Sequence, residues 1–178
     1  MIPTVGGRAG LKLLFPVLAV LAAAGCPLGS DYPLSDPAVA PLDEALVGSW
    51  HVRNSETGEM RRLTFFPFNE HELVGFAMGD EKGSLYAYRV FVTPVGDERF
   101  LNVQELGGDS PQRWLLVRYK AEAKRLTLSV VDDGLFIGRT FSSPEELRGF
   151  VRTNLADPRL YTAPGETPRD MVLERAPD

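Results

Sequence analysis

The 178-residue chain holds a single cysteine, Cys26, and only two histidines, His51 and His71. One cysteine excludes a disulfide within the chain and a cysteine-based metal cluster. Two histidines leave little for a zinc site, which wants three or four converging ligands. Glu70-His71-Glu72 offers three metal-capable side chains, but adjacent residues on a strand or turn do not converge. No basic excess exists either: 19 Lys plus Arg face 24 Asp plus Glu, for a net charge of -5. That balance argues against nucleic acid as a partner, since such proteins carry a basic patch. A phosphate-cradling glycine loop ahead of a helix is missing, and Gly107-Gly108-Asp109-Ser110-Pro111 has the make-up of a hairpin turn rather than a serine nucleophile elbow. No catalytic residue and no cofactor are expected, and the chain does not read as an enzyme. At 44 % hydrophobic and 24 % charged residues, the composition is that of a globular domain and excludes wholesale disorder or coiled coil.

The longest apolar run is also short. Residues 13–24 are 12 apolar positions interrupted by Pro16, whereas a membrane-spanning helix needs about 20. Arg8 and Lys12 precede the run, and small residues follow it. A basic start, a short apolar core and small residues mark a secretory signal.

Leu21-Ala22-Ala23-Ala24-Gly25-Cys26 resembles the lipobox of bacterial lipoproteins, with Ala23 where Leu is commonest. The resemblance implies that residues 1–25 are removed and that Cys26 becomes the lipid-modified N-terminus. Several acyl chains, palmitate among them, would then hold the protein on a membrane, one chain alone binding only marginally. Pro27 stands where an Asp would signal inner-membrane retention, which implies the periplasmic side of the outer membrane in a two-membrane host. The chain from Cys26 onward keeps 17 basic and 24 acidic side chains, a net charge of -7. Pro27, Pro33, Pro37 and Pro41 suggest that residues 26–42 are the lipidated cysteine and a semi-rigid tether, with the folded domain spanning 43–178.

From Leu46 onward, apolar stretches of strand length alternate with turn residues, the all-β spacing. Strands are expected over 46–54, 60–68, 72–78, 85–93, 100–106, 113–120, 125–131 and 135–141. Connections this short join antiparallel neighbours, and an eight-strand meander commonly closes into a barrel. Alternation places Leu126, Leu128 and Val130 on one side of their strand, and Tyr86, Tyr88 and Val90 on one side of another. Three stretches are apolar on both faces: 65–68, 73–76 and 114–117. Their outer sides need a cover, or they form a binding patch.

One helix is expected, opening at Ser143-Pro144-Glu145-Glu146 with Ser143 as N-cap. Leu147, Phe150, Val151 and Leu155 make its apolar stripe. After a loop, Met171-Val172-Leu173-Glu174-Arg175 fits a ninth short strand.

Eight meandering strands, a helix and a last strand resemble the lipocalin-like barrels. Gly48-Ser49-Trp50 matches their Gly-x-Trp motif in the first strand, and 100–103 and 145–150 are similar to a group of bacterial lipocalin-like lipoproteins. The resemblance implies that Trp50 closes the barrel floor, that Gly48 makes room for the bend, and that a basic residue ending the last barrel strand packs over the indole. Arg139 is the candidate for that role. The Thr-Asp-Tyr type turn of true lipocalins is replaced by Ala121-Glu122-Ala123-Lys124. Phe65, Phe76, Tyr86 and Tyr88 are the candidate ligand-lining side chains, although phenylalanines in such places are more often plain core. Arg89 and Arg118 each lie on a mixed face and are either ligand-orienting or, more commonly for such residues, outward. Two functions fit: an envelope lipoprotein that binds a small apolar or amphipathic ligand, or one whose filled barrel docks another envelope protein.

Overall fold

In the computed structural model the residues described are 29–53, 60–78, 85–107, 113–162 and 170–177. The signal and Cys26 lie outside them. The chain forms nine strands and one α-helix there. A two-residue strand, β1 (Gly29–Ser30), is followed by β2 (Gly48–Arg53), β3 (Met60–Pro67), β4 (Glu72–Met78), β5 (Leu85–Val95), β6 (Glu98–Leu106), β7 (Trp114–Ala121) and β8 (Arg125–Val130). Helix α1 (Pro144–Thr153) and β9 (Met171–Arg175) complete it. Neighbouring strands from β2 to β8 pair in sequence order. The last strand, β9, fits between β8 and β2, so eight strands close into an antiparallel barrel.

The closing strand differs from expectation. Residues 135–141 are not a strand. Phe136 donates its amide to Asp133 and Arg139 donates to Phe136, making successive turns, and Gly138 sits at φ 74°, a conformation that glycine adopts freely. Phe136 and Phe141 both turn toward Phe150 of the helix, a spacing of five that no strand face provides. Met171–Arg175 instead supplies the eighth barrel strand, pairing Leu173 with Leu126 and Trp50 with Arg175.

Residues 29–42 also depart from the expected tether. Leu34 is fully buried, its amide donating to the buried Asn102 Oδ1 at 2.7 Å. Ser35 and Thr93 share a hydroxyl contact at 2.6 Å, and Ala40 is buried with its carbonyl 2.9 Å from His71 Nδ1. The prolines here shape a strap laid on the barrel wall, anchored by Leu34 and Ala40 beneath it. Composition alone conveys stiffness and misses two buried anchors.

Two apolar clusters result. One fills the barrel, from Leu46 and Trp50 through Phe65, Leu73, Leu101, Val117 and Leu126 to Leu173. The other lies outside, where Leu147 and Val151 of α1, with Leu34 and Leu160, cover Phe91, Phe100, Trp114 and Leu116. The helix opens as its sequence implies: Ser143 Oγ accepts from the Glu146 amide, and Glu146 reaches back to Ser142. It thus covers the outer side of 114–117, one of the three doubly apolar stretches. On the outer sides of the other two, Phe66 and Phe68 are exposed and Val74 and Phe76 are half-buried. Phe66 is 50 % exposed and packs edge-on against Phe76 at 6.1 Å.

Candidate functional site

The two ends of the barrel are chemically unlike. At the floor, Gly48 has φ 117°, and a Cβ there would stand 3.0 Å from Arg175 Nη1. Glycine is favoured by the backbone conformation, and any side chain here would also press on the Arg175 guanidinium. Two residues on, Trp50 is fully buried and donates its indole N–H to the Leu46 carbonyl at 2.8 Å. Arg175 lies over the indole at 4.3 Å and donates to the carbonyls of Ala45, Val47 and Ala123 at 2.7–3.0 Å. One side chain thereby joins the chain before β2, the β7–β8 turn and the barrel's last strand.

Arg139 does not play that part. It stacks on Phe150 at 4.8 Å, outside the barrel. The rule that a basic residue ends the last barrel strand still leads to Arg175 once β9, rather than 135–141, is taken as that strand. The correction to the strand carries the correction to the site.

Beside this clasp, Asp43 Oδ2 accepts from the Tyr119 hydroxyl and from Arg99 Nη1, both at 2.7 Å. Burial, and next the bond to Asp43, push the Tyr119 hydroxyl well above the ordinary tyrosine range. Above the floor, the Phe65 ring lies 3.2 Å from where a Cβ on Gly75 would stand. The missing side chain of Gly75 is what lets Phe65 fill the lower interior.

The mouth half is different. Register places Val52 opposite Arg61, Ala77 opposite Tyr86, Gly75 opposite Tyr88, and Tyr88 opposite Glu105, all on the inward face. Val52, Tyr86 and Val103 are only partly buried against the core, and Arg61 and Glu105 are half-buried. Burial alone pushes the Glu105 carboxyl above its usual range. Burial first and Glu105 next push the neighbouring Tyr88 hydroxyl up as well. Two tyrosines, a carboxyl and a guanidinium thus line an otherwise apolar wall, the mixture that pockets for small molecules use.

Of the four candidate lining residues, Tyr86 and Tyr88 stand in the mouth half and Phe65 in the filled lower half. Phe76 is excluded. It pairs with Thr64 on the outer face, because Gly75 and Ala77 take the inward positions of β4. Sequence reasoning missed Arg61 and Glu105; the signal was available as strand parity once the register to Val52 and Tyr88 was known.

Arg89 and Arg118 both point outward. Arg89 forms a two-pronged bond with Glu72, which holds that carboxyl below its usual range. Arg118 stacks on Tyr161 at 4.1 Å. His51, also outward, accepts from Arg62 at 3.2 Å. Among the described residues, no group of three or more His, Cys, Asp or Glu could hold a metal ion, and no helix is long and apolar enough to cross a membrane.

Fold and floor together define an eight-stranded antiparallel barrel consistent with the lipocalin-like fold. No family model, no curated protein and no solved structure matches the chain.

Proposed function

We propose that this chain is an envelope lipoprotein, anchored by acyl chains on Cys26, whose barrel binds one small amphipathic ligand in its mouth half. The observation that carries the ligand reading is the inward set Tyr86, Tyr88, Arg61 and Glu105 on a partly buried apolar wall. An apolar chain would lie against Val52, Val103 and the tyrosine rings, with its polar end among the hydroxyls, the guanidinium and the carboxyl. Small barrels have room for one such molecule. Binding and carriage, rather than chemistry, suit a wall without a nucleophile–base pair.

A second reading has its own support. The exposed Phe66 and its partner Phe76 would suit a barrel that docks an envelope protein through its outer wall.

Native mass spectrometry of the full chain extracted from membranes separates the two. A retained lipid mass at one per protein is expected. Consistently ligand-free protein would leave the docking reading. The anchor is tested separately: Cys26→Ser should move the protein from the membrane to the soluble fraction, and unchanged fractionation would overturn the lipoprotein assignment.

A further inference from the structure

The end of the barrel that carries Tyr86, Arg61 and Glu105 is also the end at which β1 lies. β1 pairs with the first residues of β7, Gly29 with Leu115 and Ser30 with Trp114. Arg113 donates to the Gly29 carbonyl at 3.3 Å and pairs with Asp31 at 3.6 Å. Cys26 stands three residues earlier, within about 10 Å of Gly29 at 3.3–3.6 Å per extended residue. An acylated Cys26 would therefore hold the bilayer close to the mouth, with no long spacer between.

At that same end, four consecutive strands finish in a large outward-facing apolar side chain. These are Met60 of β3, Met78 of β4, Leu85 of β5 and Leu106 of β6, between 45 and 64 % exposed. Met78 and Leu85 are direct cross-strand partners. Their strands run from β6, next to β7, round to β3 on the opposite side, so the rim begins beside the anchor and extends across the mouth. At the floor end, Phe68 is exposed among Glu70, Asp97, Glu122, Lys124 and Arg125.

We propose that the mouth rim docks end-on against the surface of the bilayer that holds the anchor, so that an apolar ligand passes between membrane and barrel without crossing water. The proposal rests on the lipoprotein reading above. Exposed Leu and Met side chains enter the headgroup–acyl boundary as the apolar face of an interfacial helix does. The four segments joining the strands at this end, 54–59, 79–84, 107–113 and 131–170, carry 12 acids and seven bases in sequence, and this acidic balance favours a zwitterionic over an anionic surface.

The test uses the full lipidated protein in vesicles of phosphatidylethanolamine and phosphatidylcholine bearing brominated acyl chains. An environment-sensitive fluorophore is placed at Leu85→Cys or Met78→Cys on the rim, and at Lys124→Cys on the floor. With Cys26 acylated, the introduced thiol is the free one. Rim emission quenched about twofold more than floor emission is expected for side chains about 5–10 Å into the interface. Equal emission from both ends, with the protein still floating with the vesicles, overturns the docking and leaves the anchor intact. A blue-shifted but unquenched rim indicates a protein occupant, such as a second copy, and also overturns it. Failure to float removes the anchor reading, and the docking falls with it. The two rim positions report independently, so one misfolded variant does not decide the outcome.

Discussion

The floor and the mouth of this barrel are built from the same eight strands to opposite ends. At the floor, one indole is fully buried under a guanidinium that satisfies three backbone carbonyls. At the mouth, Tyr88 and Ala77 are buried, while Val52, Tyr86, Val103, Arg61 and Glu105 are partly buried and include ionisable groups. The floor half joins a buried aromatic to a guanidinium clasp, whereas the other half combines apolar side chains with ionisable ones.

The contrast can be broken by substitution. The largest effect is expected at Trp50: replacing it with Ala removes the floor and should cost about 3–5 kcal/mol in denaturant unfolding. A loss under about 1 kcal/mol would make Trp50 energetically peripheral. Arg175→Ala comes next, at about 2–4 kcal/mol, because charge-assisted bonds to carbonyls and stacking on the indole are lost together. Arg139→Ala, removing an outer stack on Phe150, should stay near 0.5 kcal/mol. Equal effects of the two arginines would refute the assignment of the floor clasp.

Glu72 and Glu105 sharpen the comparison through pH. The Glu72 carboxyl is held down chiefly by its bond to Arg89, so the stability it contributes is present above its unfolded value of 4.5 and lost as pH falls through the lower folded value. Glu72→Gln should therefore cost about 1–2 kcal/mol near neutral pH and nothing in strong acid. Glu105 runs the other way. Burial raises its folded value, so its contribution is fully present below 4.5 and is lost as pH rises through the folded value. Glu105→Gln should stabilise the protein near neutral pH, with the gain vanishing in acid. Unfolding curves for both variants at neutral and acid pH check the opposite signs.

A small stability effect is expected at the mouth. Tyr86→Ala should cost about 1 kcal/mol or less, since Tyr86 is only partly buried. A loss as large as that at Trp50 would erase the distinction between the two ends.

Much of this fold is legible in the sequence, for identifiable reasons. Alternation in 125–131 gives the inward set Leu126, Leu128 and Val130, and the Ser143–Glu146 pair marks the helix start; both are local patterns, and both match the structure. The closing strand could not be chosen locally. Residues 135–141 are apolar enough for a strand, but their phenylalanines serve the helix, and only the pairing of β9 with both β8 and β2 decides closure. That long-range pairing also selects Arg175 over Arg139. Burial of Leu34 and Ala40 under a proline-rich strap depends likewise on Asn102 and His71, 68 and 31 residues away. Of the candidate site, the two tyrosines were readable by parity, whereas Phe76 needed the register of β3 and β4, and Arg61 and Glu105 needed the positions of their partners.

The proposed binding of a ligand at the mouth is open to a direct test. Titration of the protein with an environment-sensitive fluorescent fatty acid, for wild type and Tyr86→Ala, tests it. Saturable binding by wild type, weakened about tenfold in Tyr86→Ala, corresponds to about 1.4 kcal/mol of lost contact, with the melting temperature little changed. No binding by wild type, or equal binding by both, would contradict a ligand held in the mouth half of the barrel.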